Sequence, residues 1–448
     1  MTHPITDTVH AEQTTGLAGK VRAVRSDPLL MNSVLMLATT VLMAGGGAVF
    51  WVIAARLADP ADVGLAGSLV AAGDSLGLFA QLGLNIALLR TLPHSTRKAA
   101  DVLSAGLVVI TAGAAFGLLY ALLLPWTSPR LADVLDSPAA IAVFTVLVAA
   151  TALNVLSDSV FLGINRVWSY LHLNGVLMSL LKCVLPFLLA GAGALGLYGS
   201  VGGAIACCAA ASVWVILRRL PTARSLRPSP ELLDSRRFAL AGYVTYVLTV
   251  APLLVFPLIV VNALGAEQGG AYFISFQVVS LLHAVVLAVA QSAYAESERA
   301  TSGRHRVVRK GGLTLLVSST AGCLAMVVAA PYFLQIFGSH YADSGTTTLR
   351  VLALATVGAA FNYWSAMRLR LASNLAAMIL VQLVSTAVML GLALALASHG
   401  TVWVAAAWGI GHAVGGVLGY VVTATIVRFP DALPTSGTEP TATETAPR

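Results

Sequence analysis

The amino-acid sequence predicts an all-α polytopic membrane protein with about twelve transmembrane helices in two six-helix lobes. Only 10% of the 448 residues are charged, against about a quarter in a soluble domain, and 58% are hydrophobic. Stretches without Asp, Glu, Lys or Arg are long enough to cross a bilayer, which takes about 20 residues. They cover residues 28–55, 102–129, 183–217, 311–342 and 371–427. This composition excludes an ordinary soluble enzyme.

Apolar runs between polar breaks define the individual helices. The stretch 371–427 is more than twice a spanning length, so we expect it to fold back at residues 398–400. The twelve expected helices cover residues 30–56, 63–89, 102–126, 138–163, 167–192, 196–217, 239–263, 269–295, 311–337, 348–367, 371–397 and 401–427.

The longest internal hydrophilic segment divides these helices into two sets of six. It contains six arginines and three prolines, and we interpret it as a basic cytoplasmic linker. The tail at the C-terminus is rich in Thr, Pro and Glu and is expected to be disordered. The expected organisation is an N-terminal cytoplasmic tail, an N-lobe, the linker, a C-lobe and the C-terminal tail, at residues 1–29, 30–217, 218–238, 239–428 and 429–448.

The basic residues indicate the orientation in the membrane. With both termini in the cytoplasm, 22 of the 26 lysines and arginines fall in cytoplasmic segments. Arg56, Arg130 and Arg350 fall outside, and Lys182 falls within a span. The positive-inside rule therefore predicts a multi-pass protein of the cytoplasmic (inner) cell membrane, and it explains the net charge of +7 without a nucleic-acid partner.

Motifs for catalysis are missing from the sequence. It contains no phosphate-binding G-x-x-x-x-G-K-[ST] loop and no H-E-x-x-H zinc motif. The four cysteines lie inside apolar stretches without metal or redox spacing, which indicates no disulfide or metal site. The largest external loop, residues 127–137, is too short for a catalytic domain. We therefore expect a protein that moves a substrate, is not an enzyme and carries no cofactor.

Several stretches resemble the start and the helix ends of polysaccharide repeat-unit flippases. They read AARLADPADVGL, QLGLN, LRTLP, FLGINR and FGSHYA, at residues 54–65, 81–85, 89–93, 161–166 and 337–342. The resemblance covers roughly residues 30–430 and extends to the multidrug/oligosaccharidyl-lipid/polysaccharide (MOP) exporter superfamily, which also contains MATE drug exporters and lipid II flippases.

This resemblance implies a MATE-like alternating-access fold, in which two six-helix lobes surround a cavity that opens to one side and then to the other. It further implies a substrate, an undecaprenyl-diphosphate-linked oligosaccharide used for surface polysaccharides such as lipopolysaccharide. The implied partners are this glycan lipid, membrane lipids, and glycosyltransferases and a polymerase of the same pathway. A proton or sodium ion is the implied coupling ion.

Ionisable residues inside spans are costly and are therefore candidates for function. Lys182 lies about 15 residues into the fifth expected helix, which is about 22 Å at 1.5 Å per residue, and is a candidate cation for a diphosphate. Asp74 lies at similar depth and is a candidate for ion coupling or for pairing with Lys182. Asp158 is a second ion-coupling candidate, although a salt bridge with Arg166 is the alternative.

Other polar residues are candidates for contacts with the substrate. His283, in the middle of the eighth expected helix, suits phosphate contact or proton coupling, with a helix-to-helix hydrogen bond as the alternative. Arg90 could meet the diphosphate at the membrane surface, although the orientation rule already explains it. Asn154 could contact sugar hydroxyls, as could six other amides, although each of the seven is individually better suited to a helix-packing hydrogen bond. The six other amides are Gln81, Asn85, Asn262, Gln277, Gln291 and Asn362.

Helix-breaking residues mark candidate hinges. Pro252 and Pro257 remove two backbone donors from the seventh expected helix, which should bend there. When the second half of the sequence is aligned on the first at a shift of 206 residues, Pro252 falls on Gly46. Gly46 belongs to a run of three glycines that we expect to break the first helix. Paired breaks in two halves favour a transporter with a central site. The alternatives to a flippase are a cation-coupled MATE-type multidrug exporter, with acidic and aromatic cavity residues, and a non-transporting scaffold for glycan assembly.

Overall fold

The computed structural model describes residues 28–220, 226–300, 303–372 and 374–425, and twelve long helices, α1–α12, lie within these ranges. They span Pro28–Leu57 (α1), Pro60–Phe79 (α2), Lys98–Thr127 (α3), Pro138–Gly163 (α4), Val167–Tyr170 with Leu171–Leu177 and Met178–Leu189 (α5), Gly193–Arg219 (α6), Arg236–Leu264 (α7), Ala266–Arg299 (α8), Arg304–Phe337 (α9), Ser339–Leu371 (α10), Leu375–Leu396 (α11) and Thr401–Thr425 (α12). The expected disordered tail, residues 429–448, lies outside the described residues.

Ten helical segments of the described residues are long and apolar enough to cross a membrane. One of them, Val167–Arg219, contains both α5 and α6. The tenth helix, Ser339–Leu371, is not among them, yet it packs against α8, α9 and α12 and is as long as its neighbours. The all-α membrane fold expected from the sequence is confirmed. The helix α10 differs from the other long helices in being too polar to count as a candidate span.

Consecutive long helices run antiparallel, so the bundle has two ends. We call the end that holds the turns after Thr91, Arg219, Arg299 and Leu371 the linker end. The opposite end holds the turns after Leu57, Thr127, Leu264 and Phe337. Helices α1–α6 form the first set and α7–α12 the second, and most helix packing lies within a set.

Two helix breaks differ from the sequence expectation. The first helix runs without interruption through Gly46, where a Cβ atom would lie 2.5 Å from the Ser179 Cβ, so the glycine allows close packing against α5. The expected single helix 63–89 is instead broken after Phe79 and resumes at Leu84–Thr91. Gly83 has a φ of 81°, which a glycine adopts without steric cost, and Gln81 donates to the Ala152 carbonyl of α4 at 2.8 Å.

The two sets meet closely at the opposite end. Arg56 donates to the Ile336 carbonyl at the end of α9 at 2.8 Å. Gly64 of α2 packs on α8 so tightly that a Cβ atom would lie 2.1 Å from the Ala266 carbonyl oxygen. Arg130 donates to the Val261 carbonyl of α7. These contacts close the bundle between the sets at the opposite end.

At the linker end, the connection between the sets is anchored by a buried carboxylate. Asp101, at the start of α3, is fully buried and accepts hydrogen bonds from the Ser229 backbone N–H at 2.6 Å and the Ser229 hydroxyl at 2.8 Å. The Ser95 hydroxyl donates to the same carboxylate at 2.5 Å. The linker segment around Ser229 is therefore fastened to the first set. Beside it, the Tyr243 hydroxyl of α7 donates to the Phe79 carbonyl of α2 at 2.8 Å.

Candidate substrate site

A small cavity lies between the two sets near the middle of the bundle, and we call it the central cavity. Its volume is ≈ 140 Å³, and α2, α7, α8 and α12 line it. Asp74 and Ser75 of α2 face Pro252 and Pro257 of α7 across this space, and Gln277 of α8 also lines it. Although Asp74 lies deep in the bundle, its side chain is exposed to this cavity.

Lys182 of α5 lies near Asp74 but does not line the central cavity. Lys182 is half-buried, and its ammonium interacts electrostatically with the Asp74 carboxylate. No salt bridge within 4.0 Å joins the two groups. The structure therefore brings the two predicted charges together in the first set, with a separation that leaves both free to take another partner.

A larger cavity lies within the second set, and we call it the C-set cavity. Its volume is ≈ 530 Å³, and it extends from Trp408 in the middle of the bundle to Tyr294 and Arg370 at the linker end. Pockets of about 300–1,000 Å³ accommodate small organic ligands. The polar side chains of its lining are Thr245, Thr249, Ser280, His283, Gln291, Tyr294, Asn362, Tyr363, Arg370, Gln382, Trp408 and His412.

The charge of this lining is distinctive. Arg370 is its only permanent charge, and the lining contains no Asp or Glu. Arg370 is exposed, and it forms no salt bridge with a described residue. The nearby carboxylate of Glu298 is paired with Arg304 at 3.5 Å. The C-set cavity is therefore neutral in its depth and positive at the linker end.

A cluster of rings forms the inner wall of the C-set cavity. The His283 ring lies 4.8 Å from that of Trp408 and 5.5 Å from that of Tyr363, and His412 lies 4.7 Å from Trp408. The Asn362 amide nitrogen is 3.1 Å from Nδ1 of His412. Among the described residues, Nδ1 of His283 has no hydrogen-bond partner. The cluster combines apolar ring surface with hydrogen-bonding groups of Asn362, His283 and His412.

The two cavities share a wall. Pro252, Leu253, Phe276 and Trp408 line both, and the Phe276 and Trp408 rings meet edge to face at 5.8 Å. Both prolines that were expected to bend the seventh helix lie inside the continuous helix α7, and Pro252 is part of this wall. A change of bend in α7 would therefore alter the separation between the cavities, while the hinge role itself stays a prediction.

Asp158 lies in a separate polar site of the first set. Its carboxylate accepts a hydrogen bond from the Asn174 amide at 2.7 Å, and no salt bridge within 4.0 Å joins it to Arg166. Asn174 is fully buried in the π-helical turn Leu171–Leu177, and such turns are frequent at functional sites. Asn154 is 5% exposed, with its Oδ1 unpartnered among described residues. Neither cavity is lined by Asp158 or Asn154.

The remaining predicted residues are dispersed. Arg90 is exposed in the last turn of the short helix Leu84–Thr91. Gln291 and Asn362 line the C-set cavity, whereas Asn262 holds the opposite end together through the Ser128 hydroxyl at 2.5 Å. The predicted substrate contacts Lys182, His283, Arg90 and Asn154 thus do not converge on one cavity.

Sequence reasoning did not identify three prominent residues of the C-set cavity. Tyr363 and Trp408 look like ordinary core aromatics in an apolar helix, and Arg370 was counted only as a cytoplasmic charge. The one available signal was the composition of α10, whose low hydropathy excludes it from the candidate spans although it packs in the bundle. A polar helix in such a bundle points to a wet cavity.

Comparison with known proteins identifies the family. Residues 53–344 match the model of a family described as polysaccharide biosynthesis protein. No curated protein sequence matches.

Solved structures show the same fold. The inward-facing structure of a multidrug resistance MATE family transporter of the MOP superfamily matches with a TM-score of 0.63 and 15% sequence identity. The match covers 85% of this chain and 92% of that one. An outward-facing conformation of a multidrug resistance MATE family transporter of the MOP superfamily has a TM-score of 0.57 at 16% identity, and the match covers 90% of this chain and 96% of that one. A MOP superfamily transporter from Pyrococcus furiosus, whose binding pocket is described as having reverse polarity, has a TM-score of 0.56 at 16% identity. This match covers 90% of this chain and 96% of that one. This chain is thus a multi-pass membrane protein that belongs to the polysaccharide biosynthesis protein family and has the MATE-type fold of the MOP superfamily.

Proposed function

We propose that this protein is a flippase that moves a lipid-linked oligosaccharide, with a diphosphate such as that of an undecaprenyl carrier, across the cytoplasmic membrane. Its family supports a role in polysaccharide biosynthesis, and its fold supports transport by alternating access. The linker end carries most of the basic residues of the connecting segments, so we place it on the cytoplasmic side.

The lining of the C-set cavity is the observation that carries this proposal. Carboxylates and electron-rich rings both favour a cationic drug. This lining has rings but no carboxylate, and its one permanent charge, on Arg370, is positive and would repel such a drug. A glycan attached to a diphosphate needs neutral donors and acceptors for hydroxyls and a cation for the phosphates. The C-set cavity offers both, with Arg370 at the linker end where a lipid headgroup would enter.

The closed opposite end supports the direction of access. The contacts of Arg56, Gly64 and Arg130 hold the two sets together there, while the C-set cavity reaches the linker end. We infer that this arrangement receives substrate from the cytoplasm. Release on the other side then requires these contacts to break as the two sets rock.

Asp74 and Lys182 suit the coupling of this motion to an ion. Asp74 opens onto the central cavity between the sets, where a proton or sodium ion bound at its carboxylate would release Lys182 from electrostatic pairing. Asp158, held by Asn174, is a second proposed coupling site. In proteoliposomes, Asp74→Asn should remove the dependence of transport on the ion gradient, and an unchanged dependence would assign coupling elsewhere.

The direct test measures lipid-linked glycans in cells with and without the protein. Mass spectrometry with leaflet-selective labelling should reveal a completed diphosphate-linked unit accumulating on the cytoplasmic leaflet of depleted cells. Lys182→Ala should reproduce this accumulation with normal membrane insertion, whereas Lys310→Ala, at an exposed lysine, should not. Unchanged lipid pools and leaflet distribution would refute the flippase and favour the drug exporter.

The proposal also separates transport from a scaffold role towards glycosyltransferases or a polymerase. A scaffold would lose function through changes in the linker and keep it when buried charges are replaced. We expect the reverse, because the proposed machinery lies in the cavities and between the sets.

A further inference from the structure

We infer that the C-set cavity is the sugar-binding site of this protein, with the ring of Tyr363 as a platform for a sugar ring. The inference rests on the proposed function and adds the part of the ligand that the cavity takes. A pyranose has a face of C–H groups that packs on an aromatic ring, and hydroxyls around its rim that need hydrogen-bond partners. An aromatic ring and hydrogen-bonding side chains both line this cavity.

The ring surface comes first. Trp408 is 5% exposed and is fixed by edge contacts with Phe276 and His412, so it forms the rigid buried support of this wall. Tyr363 is half-buried and lines the same wall, linked to Trp408 through the ring of His283. Rigid aromatic side chains offer contact area at little cost in conformational entropy.

The hydrogen-bonding groups surround these rings. Gln382 of α11, Gln291 of α8 and the Asn362–His412 pair of α10 and α12 supply neutral donors and acceptors from four helices. Since amides and neutral imidazoles both donate and accept, they match hydroxyls, which do the same.

Arg370 gives the bound lipid a direction. It lies at the linker end of the cavity, beside Tyr294, while the rings lie in the middle of the bundle. A guanidinium binds phosphate oxygens with charge-assisted hydrogen bonds. The sugar would therefore point into the bundle, with the diphosphate at Arg370 and the lipid tail outside the cavity.

Calorimetry on the full chain in nanodiscs tests this site with soluble probes. We would compare farnesyl diphosphate with farnesyl diphosphate bearing glucose, galactose, mannose or N-acetylglucosamine. The wild type should bind at least one sugar-bearing probe more tightly than the bare one. Tyr363→Leu and Gln382→Leu should each weaken that probe by roughly 2- to 12-fold and leave the bare probe unchanged.

Two controls separate the sugar from the phosphate and from general damage. Arg370→Gln should weaken both probes to a similar extent, because it removes a phosphate contact. Tyr332→Leu, at a tyrosine that is 75% exposed on α9, should change neither. In a cysteine-free background, Ala366→Cys in the cavity lining should be protected from maleimide by the sugar-bearing probe only.

The outcomes distinguish the inference from the proposed function. Equal affinity for bare and sugar-bearing probes, or sugar-dependent binding that survives both cavity substitutions, would overturn the sugar site while leaving diphosphate-lipid transport intact. Failure of the wild type to bind any probe, together with unchanged lipid pools in depleted cells, would refute the flippase itself.

Discussion

An alanine at Gly64 should open the bundle between the two sets at the opposite end. Its Cβ atom would lie 2.1 Å from the Ala266 carbonyl oxygen and 2.5 Å from the Gly270 backbone nitrogen, whereas ordinary contact begins at 3.4 Å. The difference between 3.4 and 2.1 Å, about 1.3 Å, is the least displacement that relieves the clash. Both neighbours are backbone atoms of α8, so no side-chain rotation can absorb it.

The size of the effect follows from the cost of overpacking, which is typically about 1–3 kcal/mol. If rocking of the two sets relieves the clash, the equilibrium between closed and open opposite ends shifts roughly 5- to 150-fold towards the open form. Gly270→Ala should act in the same direction, because its Cβ atom would lie 2.3 Å from the Pro60 carbonyl oxygen.

Pulsed electron paramagnetic resonance measures this opening. Spin labels at Asp133 and Asp343, both exposed and on different sets at the opposite end, report the separation in a cysteine-free background. Gly64→Ala should shift the distance distribution to longer values. Gly391→Ala is the matched control, since its Cβ atom would meet nothing within 4 Å. An unchanged distribution in a normally stable Gly64→Ala protein would show that this contact does not set the closure.

Three further substitutions test separate contacts. Arg56→Ala removes the donor to the Ile336 carbonyl and should raise maleimide labelling of a cysteine at the opposite end several-fold. Arg350→Ala is the control and should not raise it, because the Arg350 guanidinium donates to Val327 within the second set. Asp101→Asn weakens charge-assisted bonds worth about 1.5–3 kcal/mol each, so trypsin should cut the linker after Arg219 at least roughly tenfold faster than in the Asp234→Asn control. Asp158→Ala leaves the buried Asn174 amide without its acceptor and should lower the free energy of unfolding by about 1–3 kcal/mol in thermal denaturation, with rescue by Asp158→Asn.

The sequence was sufficient for the helices because the membrane imposes their length and composition. Each apolar run of about 20 residues had one viable structure, since backbone groups in the bilayer must be paired within a helix. The expected helix 138–163 coincides with Pro138–Gly163. The helix ends were less predictable where polar residues continue the helix beyond the apolar run, as in Arg304–Phe337 and Ser339–Leu371.

The cavities were less predictable because they depend on which faces of several helices converge. Asp74 and Lys182 could be paired from their depth alone, and the structure places them near each other. The partner of Asp158 could not be predicted, because Asn174 reaches it from a π-helical turn that shifts the helix face. Tyr363 and Trp408 gave no signal, since an aromatic side chain in a membrane helix has the same sequence signature in a core and in a cavity.

The stretches that carried the family resemblance lie at structural contacts between helices. Arg56 of the first stretch donates to Ile336, directly before the FGSHYA stretch at 337–342, and thereby joins the two sets at the opposite end. Gly83 of QLGLN turns the chain at the break of α2, and Gly163 of FLGINR packs against Leu92 of LRTLP. These sequences specify the scaffold and its closure.

None of these stretches lines the C-set cavity, whose residues lie partly inside the family match, on α7 and α8, and partly beyond it, on α10–α12. The family match ends at residue 344, whereas Asn362, Tyr363 and Arg370 of α10, Gln382 of α11 and the rings of α12 all lie beyond it. The family match covers α2–α9 and therefore includes the close contact of α2 with α8 at the opposite end. Tyr363 and Gln382 of the proposed sugar site lie on α10 and α11, so we expect exchange of α10–α12 between relatives to change sugar preference while the closing contacts of α1 and α2 stay in place.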